Sequence, residues 1–428
     1  MRHYRGMDVT DHRIEVPLDH ADPQGEKISI FAREISTDAS KPWLLFLQGG
    51  PGGKSPRPGS LSGWLAEATK HFRVLLLDQR GTGLSTPANR KTLPLRGDSA
   101  AQARYLTHFR ADSIVRDAEA LREHLGIEQW STLGQSYGGF CTLTYLSLFP
   151  QSLTRCLVTG GLASLDADAK TVYRATYQRM AERNREYFSW YPEDYETLHR
   201  IYEHVRANDD ERLPNGQRVT VPLVQMLGMY LGGNTRVHLL HHIFEEAFSD
   251  TPGGERLSDA FLEALNAQSS FASNPLYALM HETIYAQGEA TNFAAEQVLP
   301  EFPEFTHHAK APLLTGEMIY GWHFSEDPAL LPLEDVARIL AEHEGFGPLY
   351  NLDVLAKNTV PVAAAVYHDD VYVDRELSLR TASQVAGLQV WVTEDYHHDG
   401  IGDDGPAIFR RLLAMANGEE PQAASNDD

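Results

Sequence analysis

Cysteine is scarce in the sequence: Cys141 and Cys156 are the only two among 428 residues. A framework of disulfide bonds is therefore excluded as the source of stability. Long apolar runs are also lacking, since stretches such as 74–77 and 362–367 fall far short of the roughly 20 residues that a membrane-spanning helix needs. The first residues, MRHYRGMDVTDHRIEV, lack the apolar core of a signal peptide. These absences predict a soluble, cytoplasmic protein.

Basic residues are few relative to acidic ones, with 37 Lys and Arg against 59 Asp and Glu and a formal net charge of −22. Such a balance repels phosphate backbones, so nucleic-acid binding driven by bulk charge is excluded. The apolar content of 42% is ordinary for a globular protein. A chain of 428 residues can form roughly two to three domains, or one large α/β domain with an insertion.

Short apolar runs alternate with helical segments in both end portions of the chain, which indicates a mostly parallel sheet covered by helices. A β-hairpin around residues 14–30 precedes these runs, and an amphipathic helix is predicted over 113–125. The predicted buried strands are 43–47, 74–77, 129–133, 155–159, 360–367 and 387–393, and a helix over 407–416 follows them.

The pattern changes between about 165 and 340, where it is helical and rich in aromatic residues, with no strand alternation. We therefore predict one α/β core made of residues 1–164 and 341–417, interrupted by a helical cap over 165–340. Residues 418–428 are predicted to form a disordered acidic tail.

The strongest chemical signal is the motif Gly134-Gln-Ser-Tyr-Gly138, which has a predicted strand before it and a helix after it. This is the context of a nucleophile elbow, in which a serine lies on a tight, strained turn and small neighbours let strand and helix approach. The amide groups at the start of the helix point at the reaction centre. The motif therefore predicts Ser136 as a nucleophile.

A serine nucleophile needs a base and an acid that orients the base, in the chain order Ser, acid, His. His368-Asp369-Asp370 follows the predicted strand 360–367, and His397-His398 lies in the loop after 387–393. Both partners are thus in order and at strand ends, where such sheets place functional groups. The histidine pairs 241–242 and 307–308 do not follow a predicted strand and have no acid at a strand end nearby, so they are not candidates for the base.

Further motifs reveal a family resemblance. They are Gly49-Gly-Pro-Gly52, Asp78-Gln-Arg-Gly-Thr-Gly83, Gly134-Gln-Ser-Tyr-Gly-Gly139, Tyr367-His-Asp-Asp-Val-Tyr372 and His398-Asp-Gly400. With them the sequence resembles the prolyl aminopeptidase (proline iminopeptidase) family of α/β hydrolases, in its longer-chain form. The resemblance implies an α/β-hydrolase core with a mostly parallel central sheet and a large helical cap inserted after the nucleophile half.

The same resemblance implies Ser136 as nucleophile, Asp370 rather than Asp369 as the acid, and His398 rather than His397 as the base. The oxyanion hole is then formed by the backbone N–H groups of Gly50 and Tyr137. Gln48 departs from the short-chain relatives, which carry His before Gly-Gly-Pro-Gly. Because the oxyanion hole is made of backbone groups, this departure does not threaten catalysis.

The function implied is that of a serine exopeptidase, which releases an N-terminal residue, preferentially proline, from small peptides with a free N-terminus. An aminopeptidase has to bind a protonated amine, so it needs carboxylates near the nucleophile. The segment 274–289 is predicted as one helix, capped by Asn274 and ended by Gly288, with Glu282 and Tyr285 on one face. Glu282, Glu317 and Glu289 are the candidate amine ligands, with Tyr285 beside them.

Other functions remain open. An esterase or amidase on the same scaffold is one alternative, and a non-catalytic ligand receptor is another. A zinc peptidase is disfavoured because position 285, where His281-Glu282 would need a second histidine, is Tyr. No G-x-G-x-x-G motif follows the first strand, so we expect no dinucleotide, and neither metal nor cofactor is needed. The residues do not decide between proline, hydroxyproline and alanine as the N-terminal residue, nor the oligomeric state.

Overall fold

Strands from both end portions of the chain build one nine-stranded sheet in the computed structural model, which describes residues 2–419. In chain order the strands are β1 (Arg2–Tyr4), β2 (Met7–Pro17), β3 (Lys27–Ser36), β4 (Trp43–Leu47), β5 (Arg73–Asp78), β6 (Trp130–Gln135), β7 (Leu153–Thr159), β8 (Phe248–Thr251), β9 (Gly254–Leu257), β10 (Val362–Tyr367) and β11 (Leu388–Thr393). Their order across the large sheet is β1-β2-β3-β5-β4-β6-β7-β10-β11.

The sheet is parallel from β5 across to β11, whereas β1, β2 and β3 are antiparallel to their neighbours. The predicted mostly parallel sheet and the predicted N-terminal hairpin, formed by β2 and β3, are thereby confirmed. The parallel strands place their carboxyl ends along one edge of the sheet, and the loops that follow β6, β10 and β11 meet there.

Helices cover both faces of the sheet. In chain order the α-helices are α1 (Gly63–His71), α2 (Ser99–Leu106), α3 (Ala111–His124), α4 (Tyr137–Leu148), α5 (Ala169–Trp190), α6 (Pro192–Ala207), α7 (Val221–Gln225), α8 (Arg236–Glu245), α9 (Asp259–Ser269), α10 (Pro275–Met280), α11 (Ala294–Val298), α12 (Gly321–Glu326), α13 (Glu334–Ala341), α14 (Leu352–Leu355), α15 (Arg375–Gln384), α16 (Gly400–Asp403) and α17 (Gly405–Ala416). Gly418 and Glu419 follow α17, and the remainder of the predicted acidic tail, 420–428, lies outside the described residues.

The alternation of side chains along β4 shows how the core is divided. Leu45 and Leu47 pack on the face covered by α3 and α4, while Leu44 and Phe46 pack on the face covered by α1 and α17. Because both faces are covered, the strand is apolar at every position, and this continuous run is what made it visible in the sequence. A separate hydrophobic cluster is formed mainly by residues between 169 and 320.

The prediction that no strand occurs between 165 and 340 was wrong. Strands β8 and β9 form a short antiparallel hairpin between α8 and α9. Each strand has four residues, and their side chains are exposed except at Phe248 and Leu257, so no apolar alternation marks them in the sequence. The Pro252-Gly253 pair at the turn is the signal that could have revealed the hairpin.

The helix predicted over 274–289 is shorter than expected. Asn274 caps α10 as predicted, since its side chain accepts a hydrogen bond from the Tyr277 amide, but α10 ends at Met280 and a 3₁₀ turn follows over Glu282–Ile284. The Thr283 hydroxyl donates to the Met280 carbonyl at 2.8 Å and so competes with the helical hydrogen-bond ladder. The α-helical hydrogen-bond pattern therefore ends after Met280, and the turn that follows is tighter than an α-helix.

Candidate active site

Ser136 occupies the turn between β6 and α4 with a φ of +52°, a conformation that non-glycine residues rarely adopt. Its neighbours must be small because backbones crowd around the turn. A Cβ at Gly134 would collide with the Gly138 carbonyl, and a Cβ at Gly138 would collide with the carbonyl of Leu47 in β4. The Ser136 amide donates to the Thr159 carbonyl of β7 at 3.0 Å, which ties the turn to the sheet.

His398 lies between Ser136 and Asp370. Its Nε2 is 2.9 Å from the Ser136 hydroxyl oxygen, and its Nδ1 is 2.8 Å from Asp370 Oδ2. Asp370 is 1% exposed, and its Oδ1 also accepts hydrogen bonds from the amides of Tyr372 and Val373 at 2.8 and 3.0 Å. The carboxylate is thus held in one orientation by backbone groups, and it fixes the imidazole in turn.

The neighbouring candidates point elsewhere. The Asp369 side chain is 48% exposed and contacts His368 Nδ1 at 2.8 Å. His397 Nδ1 lies 3.4 Å from the Asp369 backbone carbonyl, and no contact joins His397 to Ser136. The structure therefore brings together Ser136, His398 and Asp370, the three residues that the resemblance singled out from these pairs.

The charge of Asp370 controls the ionisation of His398. Burial alone lowers the pKa of His398, but the charge and hydrogen bond of Asp370, with smaller contributions from the charges of Glu317 and Asp399, raise it to about 9. The imidazolium form is thus stabilised, which is the form that a base takes after removing a proton from the serine.

Two backbone amides beside Ser136 are free to bind an oxyanion. In the described part of the chain, the N–H groups of Gly50 and Tyr137 make no hydrogen bond. Gly50 has a φ of +57° and its loop is tightened by a 3.0 Å bond from the Gly53 amide to the Gly50 carbonyl. The loop packs on the Ser136 turn, since a Cβ at Gly49 would lie 3.0 Å from the Ser136 Cβ.

The residue that precedes this loop, Gln48, is held through its backbone. The side-chain amide of Gln79 donates to the Gln48 carbonyl at 3.1 Å, which connects the DQRG motif to the GGPG motif. Arg80 of the same motif is buried and donates to both carboxylate oxygens of Asp117 in α3. The DQRG motif thus supports the loop that carries Gly50.

Glu317 lines a cavity of about 160 Å³, and its charge is one of those that raise the pKa of His398. Its Oε1 accepts a hydrogen bond from the Tyr277 hydroxyl. Among the described residues, Glu317 is the one charged side chain on the cavity wall. The rest of the wall is mainly apolar and is lined by Met226, Met229, Phe271, Met318 and Ile319, together with Gln268, Ser270, Asn274, Gly316 and Tyr277. The arrangement can hold a small apolar group that carries one positive charge.

Tyr277 is a residue of the site that the sequence motifs did not predict. Its ring packs against Gly50, and its hydroxyl bonds to Glu317. Tyr277, His281 and Tyr285 are spaced by four residues, and their rings form a row with centroid distances of 5.1 and 6.2 Å. That spacing is the signal that could have identified the row, because residues four apart share one side of a helix.

Glu282 has different surroundings from Glu317. It is buried, its Oε1 accepts a hydrogen bond from the amide of Ala295 in α11 at 3.1 Å, and its Oε2 has no partner among the described residues. Burial raises the pKa of Glu282 to about 7, while the Ala295 amide and the Thr291 hydroxyl act in the opposite direction. Tyr285 closes the 3₁₀ turn that begins at Glu282, and residues three apart in such a turn lie on the same side, so the expectation that the two share one face is compatible with the structure. The Tyr285 ring also packs near Phe140.

Glu289 is exposed and makes no hydrogen bond or ion pair with the described residues. It lines a separate surface cavity of about 700 Å³, together with Asp166 and Lys170. Of the three candidate amine ligands, the structure therefore brings only Glu317 into the group formed by Tyr277 and the Gly50 loop.

His238 and His242, which lie four residues apart on α8, each contact another side chain. His238 Nδ1 contacts the Tyr191 hydroxyl at 2.7 Å, and His242 Nδ1 contacts Glu245 at 2.7 Å. Within residues 2–419, no group of three or more His, Cys, Asp or Glu side chains is arranged to hold a metal ion. In the same range, no helix has both the length and the apolar character required to cross a membrane.

Comparison with known proteins identifies the family. A family model described as alpha/beta hydrolase fold matches residues 42–193, which confirms the predicted fold class. The chain is 46% identical over 417 residues to a proline iminopeptidase of Aeromonas sobria, with 96% of this chain and 97% of the relative covered. It is 35% identical over 421 residues to the proline iminopeptidase aneH of Aspergillus aculeatus, with 95% and 93% covered. A tripeptidyl aminopeptidase of Streptomyces coelicolor is 27% identical over 181 residues, with 34% of each chain covered. The chain belongs to the proline iminopeptidase family of α/β hydrolases.

Proposed function

We propose that the protein is a serine exopeptidase that releases an N-terminal residue, preferentially proline, from small peptides through an acyl-enzyme. The observation that carries the proposal is the placement of His398 between Ser136 and Asp370. A cavity lined by Glu317 supports it, because Tyr277 lines the same cavity and packs against Gly50. The names of the full-length relatives support the same activity. Peptides with a free N-terminus are the proposed partners, and the chemistry needs neither metal nor cofactor.

Binding in this proposal starts from the N-terminal residue. The proline ring enters the cavity lined by Met226, Met229 and Phe271, and its ammonium group lies against Glu317. A charge-assisted hydrogen bond of this kind contributes about 1.5–3 kcal/mol. The scissile carbonyl then lies at Ser136, with its oxygen toward the amides of Gly50 and Tyr137.

The chemical step follows from the hydrogen-bond order. Ser136 Oγ attacks the carbonyl carbon while His398 Nε2 takes the hydroxyl proton, and the amides of Gly50 and Tyr137 stabilise the oxyanion. His398 then gives the proton to the leaving amine, which departs as the shortened peptide. Water enters, loses a proton to His398 and attacks the acyl-enzyme, which releases the free amino acid and restores Ser136.

A proline ammonium has two N–H groups and can use two acceptors. Glu317 supplies one of them. Glu282 is the proposed candidate for the second, on the strength of its unpartnered Oε2, although it lines a separate small cavity and would have to be reached from the Glu317 side. Because the pKa of Glu282 is raised to about 7, roughly half of its carboxyl groups are charged at neutral pH. Tyr285 remains a candidate for the wall of the site, whereas Glu289 has no described contact that supports a role.

We also propose that residues 165–340 act as the substrate-binding cap over a core made of 1–164 and 341–417. The distinct hydrophobic cluster formed mainly by residues 169–320 supports this division. The cavity-lining residues Met226, Tyr277 and Glu317 also belong to the segment 165–340. A cytoplasmic location is proposed as well, since both cysteines are buried free thiols and no disulfide is needed.

Substitutions in the proposed triad should separate Asp370 from Asp369. Ser136→Ala should lower kcat for prolyl-p-nitroanilide by about 10⁶-fold, because the nucleophile is lost. Asp370→Asn should lower it by about 10⁴-fold, because an amide no longer holds the required imidazole tautomer. Asp369→Asn is the matched control, since that side chain is half exposed and contacts only His368, and it should change kcat less than about threefold. A larger loss in Asp369→Asn than in Asp370→Asn would show the acid assignment to be wrong.

The pKa of His398 predicts an alkaline profile for Ser136 reactivity. Only the neutral imidazole can accept the serine proton, so a pKa raised to about 9 means that reactivity is lost as the pH falls below that value. The rate constant for labelling Ser136 with a fluorophosphonate should therefore rise with pH, with a midpoint near 9. Asp370→Asn should move the midpoint down because the stabilising charge is gone. A midpoint at or below 6.5 in the unmodified protein would contradict the raised pKa of His398.

Recognition of the free amine is tested with Glu317→Gln. It should lower kcat/KM for prolyl-p-nitroanilide by roughly 10- to 100-fold, because a charge-assisted hydrogen bond is lost, and should leave fluorophosphonate labelling unchanged. Glu282→Gln should lower the same kcat/KM by a smaller factor. Glu289→Gln should leave it unchanged, because Glu289 is exposed. N-acetylprolyl-p-nitroanilide should not be cleaved. Rapid cleavage of that blocked substrate would instead favour an esterase or amidase.

A further inference from the structure

Tyr277 touches the two groups that the proposed reaction must keep at a fixed separation. Its hydroxyl donates a hydrogen bond to Glu317 Oε1, the proposed amine ligand. The edge of its ring faces Gly50, where an added Cβ would lie 3.4 Å from the Cδ2 and Cε2 atoms of the ring. One rigid side chain therefore connects the loop that carries Gly50, here called the oxyanion loop (residues 49–53), to Glu317, the proposed amine site.

The ring of Tyr277 is itself fixed by its neighbours. Phe271 stacks on it at 6.1 Å with an interplanar angle of 18°, and His281 lies at 5.1 Å with an angle of 34°. The backbone is fixed as well, because the start of α10 packs on the oxyanion loop. A Cβ at Gly52 would lie 2.8 Å from the Asn274 side-chain oxygen and 3.0 Å from the Tyr277 amide nitrogen.

The hydroxyl of Tyr277 acts as a hydrogen-bond donor only. Burial, together with the charge of Glu317 and the hydrogen bond to it, raises the pKa of Tyr277 well above its usual range, so the phenol stays protonated. It occupies Oε1 of Glu317 and leaves Oε2 for a ligand. Without this bond, the Glu317 side chain would regain rotamer freedom, and its distance from the Gly50 loop would no longer be defined.

We infer that Tyr277 is a positioning residue that sets the one-residue register of cleavage, an inference that rests on the proposed exopeptidase function. In an N-terminal residue, the amine and the scissile carbonyl are separated by a single Cα. In a substrate cleaved after two residues, the amine lies farther away by one residue, about 3.3–3.6 Å in extended chain. Tyr277 holds Glu317 at a fixed distance from the oxyanion loop. Only the shorter distance from amine to scissile carbonyl, that of a substrate cleaved after one residue, fits this arrangement.

The test is Tyr277→Phe, which keeps the ring and its packing and removes only the hydroxyl. The KM for prolyl-p-nitroanilide should rise roughly 10- to 100-fold, as expected for the loss of a hydrogen bond to a charged group, with a smaller change in kcat. The kcat/KM for alanylprolyl-p-nitroanilide should fall less, because its amine does not rely on the position of Glu317. The ratio of its kcat/KM to that of prolyl-p-nitroanilide should therefore increase. The rate of fluorophosphonate labelling, which needs no amine, should stay within about twofold of the unmodified protein.

Tyr202→Phe is the matched control, because Tyr202 is buried among residues 169–320 and its hydroxyl has no partner among the described residues. It should leave every readout unchanged. If Tyr277→Phe behaves like this control, or if it slows fluorophosphonate labelling as much as anilide turnover, the inference is overturned. If the unmodified protein is labelled at Ser136 but cleaves no free-amine anilide, the proposed function itself fails.

Discussion

The close approach of backbones around Ser136 is the constraint on which the rest of the site depends. Gly138 leaves room for the Leu47 carbonyl of β4, and Gly139 leaves room for the backbone of Gly161 after β7. This packing holds Ser136 in a conformation that costs roughly 1–3 kcal/mol and presents its hydroxyl at the carboxyl end of the sheet. His398 and Asp370 can reach it there only because β10 and β11 end along the same edge.

The segment that supplies Glu317 is tied to this centre by contacts on both sides. On the oxyanion side, Asn274 and Tyr277 pack on the loop that carries Gly50 and Gly52. On the histidine side, the Tyr372 ring lies 4.8 Å from the His398 ring, and its hydroxyl donates to the Met229 carbonyl at 2.7 Å. The apolar cavity and the proton-transfer groups are thus joined by direct contacts, which explains how one residue can be held in register with Ser136.

Features marked by an apolar pattern or a motif could be predicted from the sequence, and features without such a pattern could not. The buried strands and the motif at Ser136 are local, and the chain order of acid and base followed from the strand ends. The choice of Asp370 over Asp369 needed the family resemblance, because both residues follow β10. The contact between Tyr277 and Glu317 joins residues 40 positions apart, so it depends on tertiary packing. The hairpin of β8 and β9 and the early end of α10 are local features, but the hairpin side chains are mostly exposed and no apolar pattern marks either feature in the sequence.

The proposed exopeptidase function requires that the substrate amine lie at Glu317 while the scissile carbonyl carbon lies at Ser136. A crystal structure of the protein with a prolyl boronate, which forms a tetrahedral adduct with a serine, measures both positions at once. We expect a bond from boron to Ser136 Oγ and one boronate oxygen within about 3.2 Å of the amide nitrogens of Gly50 and Tyr137. We expect the pyrrolidine nitrogen to lie within about 3.2 Å of a carboxylate oxygen of Glu317. An adduct whose pyrrolidine nitrogen points away from Glu317, into solvent or toward another carboxylate, would contradict it.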